Sequence, residues 1–136
     1  MQAYSLSIIG LLGLCLIPLV LANIVGPLKG RDKLIGGPVS DARDDYVVYR
    51  LDRAHANSVE SIPFFIAPAI LAMMVGVGSG YLATLVWIYL GLRLAYCVVY
   101  LRGGLLAKGG SLRTVVHILG TLTALVLIVS VFVRVI

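Results

Sequence analysis

Charged side chains are missing from three stretches of this chain, residues 2 to 28, 61 to 92 and 114 to 133. A membrane-crossing helix needs about 20 mostly apolar residues, so the first and last stretches each hold one span. The middle stretch is broken by GVGSG at 76–80, whose three glycines mark a tight turn. Two spans need about 40 residues, more than 61–92 supplies, so the earlier of the two must begin upstream, in a polar segment. The pattern predicts four helices, over about 4–28, 46–75, 81–101 and 112–134. The first lacks the basic start of a cleaved signal peptide and is expected to be retained. Pro18 is expected to kink it or be accommodated by neighbours, Asn23 to be an interfacial amide, and Gly26, Pro27 and Gly30 to end it in a polar loop over 29–45. A short basic loop with four glycines covers 102–113.

The polar segment that must enter the membrane region reads YRLDRAHANSVESIPFF over 49–65. On a helix, Arg50, Arg53, Asn57 and Glu60 fall on one stripe at about 100° per residue, while His55 and Asp52 point roughly 140° and 200° away from Arg50. A headgroup-facing helix start is the plain alternative. In the third helix, Arg93 lies about 18 Å from the outer end at 1.5 Å per residue, so it must face a bundle interior, a cavity or a partner. Tyr89, Arg93, Tyr96 and Tyr100 share a ridge around that guanidinium. Arg113 and His117 sit one turn apart at the start of the fourth helix, above Gly120 and Ala124, which offer a face for close helix contact.

Composition agrees. Hydrophobic residues make up 60% of the chain and charged ones 12%, against about 25% charged in an average soluble domain. The expected fold is an all-α integral membrane protein, a single four-helix bundle domain over 1–136. Cys15 and Cys97 lie in apolar segments and are expected to be small core residues, with no disulfide or metal site. The formal net charge of +5 is concentrated in 29–53 and 102–113, which suits anionic headgroups or an anionic ligand; no basic patch with interleaved aromatics suggests nucleic acid. Both basic loops are expected on the cytoplasmic side, with both termini outward. On that topology the Arg50–Glu60 stripe, Tyr100 and Arg113 all lie at one side. Guanidiniums, a carboxylate, an amide and phenols together fit a small zwitterionic peptide with excess negative charge. Glutathione has that pattern, though composition does not separate it from other amino-acid-like ligands.

RLDRAHANSVES at 50–61, RLAYCVVY at 93–100 and LRTVVHILG at 112–120 resemble the membrane-associated proteins of eicosanoid and glutathione metabolism. This family includes microsomal glutathione transferases, leukotriene C synthases and microsomal prostaglandin E synthase. The resemblance covers the whole four-helix layout. It implies a homotrimer with glutathione at subunit interfaces near the cytoplasmic side. Carried over by residue, it implies that Arg53, Asn57, Glu60, Tyr96 and Tyr100 contact glutathione, as His55 does in some members, and that Arg113 stabilises its thiolate. A basic residue at the end of the first helix joins the site in the family, and Arg31 takes that place here. Arg50 and Arg93 match basic positions read as structural, pairing across helices with Glu60 or Asp52. The chain departs from the pattern in a longer loop before Arg113, in Thr114 where prostaglandin synthases have serine, and in His117 where some members have tyrosine.

The leading functional reading is a glutathione transferase or peroxidase acting on hydrophobic electrophiles or lipid hydroperoxides, in a bacterial inner membrane. The second is a non-catalytic lipid-binding or scaffold member, which would predict a broken glutathione constellation. A small multidrug exporter ranks third, because such exporters carry an acidic residue in the first helix and residues 2–28 contain none.

Overall fold

The computed structural model describes residues 2–34, 39, 46–102 and 111–136, and every regular element among them is helical. A 3₁₀ turn over Gln2–Tyr4 leads into α1 (Ser5–Arg31), followed by α2 (Val47–Ser61), α3 (Pro63–Met74), α4 (Ser79–Arg102) and α5 (Ser111–Val135). Together α2 and α3 make one rod, so four rods are long and apolar enough to cross a membrane. Most of the expected basic loop at 102–113 and much of the polar loop at 29–45 fall outside the described residues; Arg102 ends α4, and 111–113 form the first turn of α5.

Two boundaries differ from the sequence reading. The second rod is interrupted at Ile62, because Pro63 has no N–H to continue the ladder. The chain passes the break by bonding Ile62 N–H to Ser58 O at 3.1 Å, and Phe65 and Ile66 N–H both to Ile62 O at 3.0 Å. The other difference is that α1 does not stop at Gly26-Pro27 but continues to Arg31. Contacts with the next segment outweigh the weak local helix preference there. Lys29 Nζ pairs with Asp52 Oδ1 at 3.0 Å, Val39 N–H donates to Asp52 Oδ2 at 3.1 Å, and Tyr46 Oη donates to Asp32 Oδ2 at 2.6 Å. The Tyr46 hydroxyl, with Arg31 beside it, holds the Asp32 carboxyl below the ordinary carboxylate range.

At the opposite end, Tyr4 Oη donates to Val77 O at 2.7 Å and ties the start of α1 to the turn before α4, where Gly76 adopts φ +73°. The rods therefore alternate in direction, and α4 is the central one, packed against all the others. Leu14, Phe65, Ala69, Ala72, Leu82, Val86 and Leu127 are wholly enclosed, while Leu, Ile and Val cover much of the exterior, as a lipid-facing surface requires. Cys97 is buried as expected but Cys15 is exposed. It lies about 100° round the helix from buried Leu14, which turns it away from the bundle.

Lipid tails are as apolar as leucine, so these helices are held by close packing more than by exclusion from water. Among the described glycines the closest approach is at Gly10, where a Cβ would stand 2.4 Å from Val86 Cγ1. Gly10→Ala should cost about 1–3 kcal/mol in overpacking, more than the gain of about 1 kcal/mol from removing a helical glycine. At Gly13 the nearest atom is the flexible Leu90 Cδ2 at 3.1 Å. Thermal melting in detergent is expected to fall by several degrees for Gly10→Ala and to be nearly unchanged for Gly13→Ala.

Candidate functional site

One face of α2, formed by Val48, Leu51, Ala54 and Ser58, is buried against the bundle. The polar stripe flanks it. Arg50 and Asn57 are half-buried, while Arg53 and Glu60 are exposed. The same periodicity on α4 buries Tyr89, Arg93 and Tyr96 on a single ridge.

Arg93 is the centre of the arrangement. It is only 4% exposed, and its Nη1 donates to Asn57 Oδ1 at 3.2 Å. Its guanidinium carbon lies 4.8 Å from the Tyr89 ring centroid and 6.0 Å from that of Tyr96. Aromatic faces and an amide thus surround a cation that apolar surroundings alone would not tolerate. Tyr89 is fixed in turn, stacked on Phe65 at 4.0 Å and 5° and donating from Oη to Ser61 O at 3.0 Å. On α5, Gly120 leaves room for the guanidinium, since a Cβ there would come within 3.4 Å of Nη2.

Here the structure corrects the expected pairing of Arg93 with Glu60 or Asp52. Asp52 is taken by Lys29 and the Val39 N–H, at the mouth of the bundle, and Arg93 bonds the amide of Asn57 instead. Asn57 is one turn from Arg53 on α2 and faces α4, so it reaches the guanidinium first.

Between α2/α3, α4 and α5 lies a cleft of about 390 Å³, within the usual size of a ligand site. Asn57, Glu60, Arg93 and His117 make its polar end, and Phe64, Leu125 and Ile128 its apolar end. Beyond the polar end, Tyr96 contacts Tyr100 at 5.1 Å and His117 at 6.1 Å between ring centroids, and the Arg113 guanidinium carbon lies 5.1 Å from the Tyr100 ring centroid. The residues singled out in the sequence therefore fall into groups. Asn57, Glu60 and His117 meet in the cleft; Tyr96, Tyr100 and Arg113 form an aromatic and cationic cluster next to it. Arg53 and His55 are on α2 outside the cleft lining, and Arg31 is exposed at the end of α1 with its Nε on Asp32 Oδ1 at 3.2 Å.

The sequence reading singled out His117 and Ala124 on α5 but not Thr121, Leu125 and Ile128, which complete that wall of the cleft. His117, Thr121, Ala124 and Ile128 follow one helical face, a register visible in the sequence but built from residues common to any apolar span. A second cavity of about 390 Å³ between α1 and α4 is lined by Leu, Ile, Val, Gly13 and Cys97, and has no charged group to orient a ligand. Among the described residues no group of His, Cys, Asp and Glu is placed to hold a metal ion.

No curated protein matches this chain. The family model of MAPEG, described as the MAPEG family, matches residues 5–133. That span takes in the polar stripe of α2, the Arg93 ridge and the Arg113–His117 turn, and the chain belongs to the MAPEG family.

Proposed function

We propose that this protein is a membrane-bound glutathione-dependent transferase or peroxidase, in which Arg113 stabilises the glutathione thiolate and Arg53, Asn57, Glu60, Tyr96 and Tyr100 hold the tripeptide. The observation that carries this reading is the continuity of a cationic, phenolic cluster with a cleft whose far end is apolar. A charged tripeptide and a lipid-soluble electrophile need those two environments side by side. Arg113 is one turn from His117, which lines the cleft, so a thiol lying along this turn feels its charge.

An ordinary thiol has a pKa of about 8.5, so a nearby guanidinium that lowers it raises the fraction of nucleophile at neutral pH. In the transfer step the thiol proton passes to water, sulfur bonds to the electrophilic carbon, and the leaving group departs with the electron pair. With a lipid hydroperoxide, sulfur attacks the terminal oxygen, the alkoxide leaves and takes a proton, and a second glutathione converts the sulfenic acid to disulfide and water. The homotrimer is part of the proposal. Arg53, Glu60 and His117 are exposed on the single chain, and polar groups at membrane depth call for cover by another copy.

The test is the ultraviolet absorbance of thiolate on adding glutathione to detergent-purified protein, for the wild type and Arg113→Ala. The expected result is a thiolate signal near neutral pH whose titration midpoint lies below that of free glutathione and which is lost in the variant. Binding without a thiolate signal would remove thiol activation from the reading. Absence of binding would leave the lipid-binding or scaffold role in its place.

A further inference from the structure

The side-chain amide of Asn57 has an oxygen that only accepts hydrogen bonds and an NH₂ that only donates. Arginine carries donors alone, so the atom that an asparagine turns towards a guanidinium is its oxygen. Arg93 Nη1 meets Asn57 Oδ1 at 3.2 Å, and the orientation of the amide is therefore dictated by its partner. Arg93 has little freedom to release it. The guanidinium lies over Tyr89, which is itself stacked on Phe65 and bonded to the Ser61 carbonyl, and Gly120 closes the side towards α5. Asn57 and Arg93 both line the cleft, and the Asn57 Nδ2 has no hydrogen-bond partner among the described residues.

We infer that Arg93 is a positioning residue: by holding the Asn57 oxygen, it turns the amide so that this point of the cleft offers hydrogen-bond donors only. The ligand group that docks there is an acceptor, a carboxylate or a peptide carbonyl, and an ammonium or amide N–H is rejected because two donors would face each other. The cation behind the amide also polarises its N–H bonds and strengthens them as donors. This inference rests on the cleft being the glutathione site, and it fixes which kind of polar group on the tripeptide Asn57 can meet.

Asn57→Asp separates the two roles of the side chain. The carboxylate still accepts from Arg93 but presents a second acceptor where wild type has donors. Glutathione affinity by calorimetry is expected to fall about tenfold or more, with a melting temperature at or above that of the wild type. Arg93 is tested through the amide itself. Asn23 and Asn57 are the two asparagines in the chain, so ¹⁵N-asparagine labelling gives two side-chain amide pairs. Asn23, bonded to Leu19 O at 2.8 Å on the outer surface, is the internal reference. In the free protein the Asn57 pair is expected to shift in Arg93→Gln, whose amide can donate or accept, and to return towards wild type in Arg93→Lys, which again has donors alone. A purely structural cation would alter melting without this rescue pattern. Wild-type affinity in Asn57→Asp, or Asn57 resonances unmoved in Arg93→Gln, would overturn the inference. Where the wild type itself binds no glutathione, the proposed activity fails and the resonances of the free protein decide the inference alone. Where Arg93→Gln does not fold, the Asn57→Asp affinity and the Arg93→Lys resonances decide it.

Discussion

Gly120→Leu is expected to destabilise the bundle strongly. Even a Cβ at this position would stand 3.4 Å from Arg93 Nη2, 3.7 Å from Cζ and 3.8 Å from Tyr89 Cε2. Leucine adds three more carbons in that direction, and overpacking of this kind costs about 1–3 kcal/mol. The electrostatic cost is greater still. A displaced guanidinium must leave the Tyr89 face and the Asn57 oxygen for apolar surroundings, where a central membrane charge costs about 2.5–3.5 kcal/mol on insertion scales. Domains have only about 5–15 kcal/mol of stability, so the two costs together remove a large part of it. The measurement is thermal melting with size-exclusion chromatography in detergent, and the expected outcome is a strongly lowered transition or loss of the monodisperse species. Gly120→Ala asks Nη2 to give by only a few tenths of an ångström and is expected to melt close to wild type. Wild-type behaviour of Gly120→Leu would mean that Arg93 is not lodged against α5.

Phe65→Ala is the second large effect, and its size depends on the solvent. In a soluble core, Phe→Ala costs about 3–5 kcal/mol, the sum of lost transfer energy and a residual cavity. In a bilayer the transfer part largely cancels, because lipid is as apolar as the interior. What remains is the packing lost around a ring that is wholly enclosed and stacked on Tyr89 at 4.0 Å. An aromatic pair contributes about 0.5–1.5 kcal/mol beyond its area, and the cavity adds to that, giving an expected loss of about 2–3 kcal/mol. Tyr89 is also the platform under Arg93, so the variant should weaken the proposed glutathione binding as well as lower the melting transition. Phe65→Leu, which fills much of the volume without a ring, should recover more stability than binding. Equal recovery of both would show that the stack serves packing alone.

Both predictions concern the same physical problem, a guanidinium carried inside an apolar bundle. Its neighbours are two aromatic rings, one amide oxygen and a glycine, and no described carboxylate lies within ion-pair distance of it. Glu60 lines the same cleft but makes no ion pair with Arg93, so no direct contact neutralises the guanidinium. That is a favourable setting for an anionic group on a bound molecule, whereas a tight internal ion pair would have neutralised it.

The number of spans was determined by the sequence itself. Charge-free stretches of membrane length, and one too short for the two helices it must contain, leave four rods, with the polar segment at 49–60 drawn into the second. Helical periodicity likewise places Tyr89, Arg93 and Tyr96 on one ridge, since side-chain direction along a helix follows from spacing alone. Partner choice between rods is different, because it depends on how two helices are rotated and displaced against each other. Nothing local to Asp52 says that Lys29 reaches it ahead of an arginine, and nothing local to Arg93 says that an amide will meet it instead of Glu60. The continuation of α1 past Gly26-Pro27 and the outward turn of Cys15 have the same origin. Composition and spacing determined which residues share a face of each helix; only the packing of the helices decided what each face meets, because those contacts join positions far apart in the chain.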